Sequence, residues 1–184
     1  MTRLRVLALA GLLALAAATY AAATPGGNSM ANHGGAKTVL IRDDCDPNDP
    51  AWNNVGGCAL ARGDVTLAEF AGENDSPLAD AVIGHQAWRN DPSYLEIREG
   101  ARVRVDNVGG RVHTFTEVED FGGGIAPNPA LNEGLTLAPE CPDSVDVLPG
   151  GRTHVTGLTV GNHRFQCCFH PWMRALIKVK EHGS

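Results

Sequence analysis

The chain has 184 residues, with 15 Lys+Arg against 21 Asp+Glu and a formal net charge of −6. That length holds one domain with extensions. The acid excess argues against nucleic-acid binding, which needs a basic face.

Met1-Thr2-Arg3-Leu4-Arg5 is basic, and Val6 to Ala18 is an apolar run too short and too Ala-rich for a spanning helix. Ala21-Ala22-Ala23 offers a small-residue cleavage site, so residues 1–23 read as an export signal. An uncleaved anchor is the alternative. No later run is apolar for long enough to span a bilayer, so no membrane span is expected after cleavage. Loss of Arg3 and Arg5 takes the formal net from −6 to −8. An acidic face would steer a basic partner toward it. The expected location is periplasmic or extracellular.

Residues 24–36 are rich in Gly, Asn, Ser and Ala without a period and read as a flexible linker. Residues 37–78 read as an N-terminal extension packed on a main domain. They are too few to hold a large core alone. Thr38 to Ile41 is a short apolar run, and Asp43 to Gly57 is loop, mostly bracketed by Cys45 and Cys58. Asp43, Asp44, Asp46 and Asp49 lack the spacing of an EF-hand, so a solvated acidic turn is expected ahead of a calcium site. Leu67 to Phe70 reads as one or two helical turns, and Glu73 to Asp80 as polar loop.

Residues 79–184 form the main domain. Leu95 and Ile97, then Ala101, Val103 and Val105, alternate with polar residues at period two, broken by a turn at Glu99-Gly100. Further strands are expected over His113–Val118, Arg152–Leu158, His163–Cys168 and Ala175–Glu181. Gly122 to Pro142 is a long irregular loop, a kind that is often functional. Short strands, Gly/Pro turns and no long helix mean all-β, as a sandwich or barrel.

Five cysteines leave one thiol over if the rest pair. Export permits disulfides. If Cys167 is set aside, four remain and three connectivities are open. Cys45 with Cys58, and Cys141 with Cys168, is the preferred pair. Strand parity puts Phe165 and Cys167 on the inward face, with Arg164, Gln166 and Cys168 on the other. Adjacent thiols then have different jobs.

Cys167-x-x-His170-x-x-Met173 places a thiolate, an imidazole and a thioether within seven residues. Two His, one Cys and a weak axial Met form the blue-copper set. The missing imidazole must come from elsewhere, and His113 is the candidate. Alone, Cys167 reads as half a disulfide and Met173 as core filler. Their joint spacing between strands reverses that. Zinc would accept the Cys and His groups, but the placed Met favours copper. A c-type haem needs Cys-x-x-Cys-His, which is absent, and a Cys167–His170 nucleophile pair fits the spacing less well than joint ligation. His33, His85, His154, His163 and His182 are expected to have no metal role. Glu117, Glu119 and Asp120 read as a solvated turn ahead of a recognition patch.

These segments resemble the cupredoxins, most of all the short ligand loop of amicyanin among the plastocyanin-like proteins. The likeness covers roughly residues 85–181. It implies a Greek-key β-sandwich with one copper held by His113, Cys167, His170 and Met173. It implies one-electron transfer with a redox partner protein, such as a cytochrome or an oxidoreductase, and no catalysis. It also implies electron entry at His170, with docking through Pro171 and Trp172. Thr114 stands where that group typically has Asn. Cys168, the Gly122–Pro142 loop and the Cys45/Cys58 extension have no counterpart in its small members. Copper binding and delivery without a redox circuit is the alternative. A multicopper oxidase or nitrite reductase would need further copper sites, and no His-x-His pair occurs.

Overall fold

The structure is a computed structural model that describes residues 37–59, 63–74, 86–125, 132 and 134–182. The expected signal and linker, His33 and His85 lie outside the described residues. Among the described residues, no helix is long and apolar enough to cross a membrane.

The strands are β1 Lys37–Arg42, β2 Arg89–Asp91, β3 Tyr94–Arg98, β4 Val103–Asn107, β5 His113–Thr114, β6 Thr116–Val118, β7 Asp146–Val147, β8 Arg152–Val155, β9 Gly161–Gln166 and β10 Arg174–Lys180. One sheet runs β2-β1-β4-β8 and a second runs β3-β10-β9-β6, while β5 and β7 pair separately. The chain is therefore all-β, as expected. Period-two alternation decides which side chains turn inward: Leu95 and Ile97 on β3, Val103 and Val105 on β4, and Ala175, Ile177 and Val179 on β10 are buried. These residues and Val39 and Ile41 of β1 belong to one core, to which both sheets contribute. Burying each Val, Leu or Ile is worth about 1.5–3 kcal/mol.

Three differences from the sequence reading matter for the site. First, β1 is an interior strand of the first sheet. It runs parallel to β4, with Val39 opposite Val105, and antiparallel to β2, with Ile41 opposite Asn90. The strand assigned to an extension is thus built into the sandwich. Second, the expected strand over His113–Val118 is two. Its first part, β5, pairs with β7, and β6 pairs with β9. Phe115 sits between them and stacks on Phe165, with ring centroids 4.6 Å apart. Alternation carries no information about which neighbour a strand pairs with. Third, β2 and β7, of three and two residues, are too short to announce themselves by period.

Helix α1, Leu67–Asn74, begins at a capping box. Thr66 Oγ1 accepts from Glu69 N at 3.2 Å, and Glu69 Oε2 accepts from Thr66 N at 2.8 Å. Its Phe70 joins Trp52, Trp88 and Trp172 in one aromatic cluster. The Cys45–Cys58 disulfide closes the loop that carries Trp52.

Candidate metal centre

Strand β9 ends at Gln166 and delivers Cys167 to the start of a tight loop. Cys167 N donates to Met173 O at 3.0 Å, and Met173 N donates to His170 O at 2.9 Å. From β2, Asn90 Nδ2 donates to the same Met173 oxygen at 3.0 Å. The loop is thus closed on itself and pinned to the other sheet. Opposite it, β5 opens with His113. Cys168 N donates to Thr114 Oγ1 at 2.8 Å, and Thr114 N donates to Cys167 Sγ at 3.4 Å. Thr114 therefore ties the two segments together.

The result brings His113, Cys167 and His170 together, each offering a ligand atom within 4.8 Å of the others. Cys167 Sγ lies 3.6 Å from Nδ1 of His113 and 3.6 Å from Nδ1 of His170. A metal about 2.3 Å from sulfur and about 2.0–2.1 Å from nitrogen, at near-tetrahedral angles, separates S and N by about 3.6 Å. One thiolate and two imidazoles at that spacing fit a single soft-to-borderline metal ion. Met173 is fully buried at the far end of the loop.

The electrostatics are set by a residue that sequence reasoning took for part of a solvated turn. Asp43 is fully buried, and its Oδ2 lies 2.9 Å from His113 Nε2. Its carboxylate also accepts from Gly110 N at 2.6 Å and Arg111 N at 2.7 Å. Burial works to raise the Asp43 pKa, but the bonds to His113, Gly110 and Arg111 hold it below the usual value. Burial likewise opposes charge on His113, yet Asp43 and Cys167 raise its pKa to about 9. Burial pushes the Cys167 thiol up, while His113 and His170 bring it well below its ordinary value. His170 is pushed down, chiefly by burial, against the opposing pull of Cys167. The pocket therefore favours the charged form of His113, shifts Cys167 toward its thiolate form and favours the neutral form of His170. Among the described residues, the acids form no converging group of three. Asp49 instead accepts from Ala51 N and Leu67 N.

The two neighbouring thiols face opposite ways. Cys167 belongs to the main core, and Cys168 to a second small cluster with Val118, Ala138 and Cys141. Cys168 is bonded to Cys141, and among the described residues Cys167 is the free cysteine. The loop that begins at Gly122 covers this second face. Gln166 is consequently buried, and its Oε1 accepts from Gly122 N at 3.0 Å.

Access to the site differs from expectation. Pro171 and Trp172 are buried, Trp172 at 8% exposure, so neither presents a docking face. Trp172 packs edge-on to His170 at 5.4 Å between centroids, and Trp88 lies 6.5 Å away. His170 instead reaches a cleft of about 280 Å³ lined by Arg111, Val112, Pro149 and Phe169. The remaining described histidines stay out of the centre. His163 bonds Glu117 at 2.6 Å and the Thr159 carbonyl at 2.8 Å, so Glu117 is engaged and not merely solvated. His154 lies on β8, opposite Arg104 of β4, and His182 lies beyond β10.

No protein-family model and no curated protein sequence matches this chain. Similar solved structures include a purple cupredoxin from Nitrosopumilus maritimus, 17% identical over 78% of this chain and 99% of that one, with a TM-score of 0.42. Amicyanin from Paracoccus versutus is 20% identical over 58% and 86%, with a TM-score of 0.35. Pseudoazurin from Hyphomicrobium denitrificans is 14% identical over 79% and 75%, with a TM-score of 0.39.

Proposed function

We propose that the chain binds one copper ion through His113, Cys167, His170 and Met173 and passes single electrons between redox proteins outside the cytoplasm. The observation that carries this reading is the triangle of Cys167 Sγ and two imidazole Nδ1 atoms, Cys167 and His113 buried and His170 half-buried, with both sulfur–nitrogen edges at 3.6 Å. Bound copper would supply the Cu(I)/Cu(II) couple.

The protein's part is rigidity and insulation. His113 is held by Asp43, Cys167 by Thr114 N, and the loop by Asn90 and its own two backbone bonds. Ligands fixed this way rearrange little between oxidation states, and bonds to the sulfur tune the potential. The aromatic cluster closes one side of His170. The cleft leaves its other edge as the route to a partner, here taken to be a cytochrome or an oxidoreductase.

Voltammetry of the copper-loaded protein tests this. A reversible one-electron wave with copper retained through repeated cycles is expected. Loss of copper on reduction would favour the delivery reading instead.

A further inference from the structure

Resting on the copper reading above, we infer that Asp43 is a positioning residue that fixes the metal-binding face of His113 and biases the bound metal toward its higher oxidation state. Three observations converge on it. The first is geometry. Asp43 Oδ2 takes both Arg111 N at 2.7 Å and His113 Nε2 at 2.9 Å, while Oδ1 takes Gly110 N at 2.6 Å and Cys45 N at 3.4 Å. All four neighbours are nitrogens, and the three backbone ones are donors. With its two oxygens already accepting from three backbone N–H groups, an ionised carboxylate completes the set by accepting from Nε2, which then carries the proton. Nδ1 of His113 is then left to face Cys167 Sγ.

The second observation is a cradle shaped for this carboxylate. A Cβ on Gly109 would sit 2.5 Å from Asp43 Cγ, and one on Gly110 would sit 2.5 Å from Cys58 Sγ. Side chains at these two positions would collide with the carboxyl group and with the Cys45–Cys58 disulfide. The turn before β5 is therefore built around Asp43. Arg111 contributes its backbone N–H, while its guanidinium binds the carbonyls of Val55 and Gly57.

The third is charge. Asp43 is fully buried and joined to a ligand by one hydrogen bond. A carboxylate behind a metal-bound imidazole raises the donor strength of the ring. In a low-dielectric setting its negative charge favours the more positive metal ion.

The test compares the parent protein with Asp43→Asn, measuring Cu(II) and Cu(I) affinities by chelator competition together with the reduction potential. Cu(II) affinity should fall about ten- to a hundredfold, with Cu(I) affinity falling less. A tenfold change in that ratio is an upward shift of about 59 mV. Equal losses for both ions, or an unchanged ratio in a folded variant, would overturn the inference by reducing Asp43 to a structural tie. Should the variant not fold, nitrogen NMR of the unsubstituted Zn(II)-loaded protein decides. A slowly exchanging, low-field His113 Nε2 proton is expected, and an unprotonated Nε2 or an ordinary proton there would overturn the proposal. A parent protein that takes up Cu(II) without a strong thiolate band refutes the copper reading, whereas the zinc measurement still reports on Asp43.

Discussion

Cys167 and Cys168 share a peptide bond just beyond β9 yet face opposite ways, one toward the core and one toward the loop that carries Cys141. Cys167→Ser should therefore abolish the thiolate-to-copper absorption. The double variant Cys141→Ser/Cys168→Ser should keep it while losing about 2–4 kcal/mol in urea unfolding. Equal loss of colour in both folded proteins would contradict the assignment. His113 yields a second prediction. Its pKa near 9 means that before metal binds Nδ1 carries a proton at neutral pH, while His113 and His170 shift Cys167 toward its thiolate form. Metal binding then displaces about one proton, so affinity should rise about tenfold per pH unit until pH approaches 9 and then level. Calorimetry in buffers of different ionisation enthalpy should return about one proton at pH 7.5. A value near zero or two would contradict the charge pattern. The ligands were legible because their spacing is itself the chemistry. Asp43 was not, because its partner lies 70 positions away and its neighbours are Asp, Asn and Pro. The available signal was Gly109-Gly110 just before His113, two glycines where a close approach was needed.

Among the elements, the long strands could be read from alternation, since a half-buried strand turns every second residue inward. The short ones could not, and they hold the site: β2 supplies Asn90, and β7 pairs with His113. The aromatic cluster was equally hidden, because it assembles Trp52, Phe70, Trp88 and Trp172 from four separate segments. Trp88 is 2% exposed and contacts Trp52, Phe70 and His170. Trp88→Ala should cost about 3–5 kcal/mol in chemical denaturation. It should also broaden the copper spectrum by loosening His170. A cost below about 1 kcal/mol would mean the cluster is not part of the core.

For the molecule as a whole, the all-β class followed from strand length and turn spacing. The integration of residues 37–45 did not, since β1 pairs with a strand more than sixty positions later. A chain starting at residue 79 would lack Val39, Ile41, the partner of β4 and the carboxylate on His113. It should fail to give a dispersed NMR spectrum, and a folded, copper-binding product would refute the central place given to β1. The most direct test of the account is the visible absorption and electron paramagnetic resonance spectrum of the protein after Cu(II) loading. The Cys167–His113–His170–Met173 arrangement predicts an intense thiolate charge-transfer band with narrow copper hyperfine splitting. A colourless protein, or an ordinary weak Cu(II) spectrum, would contradict it.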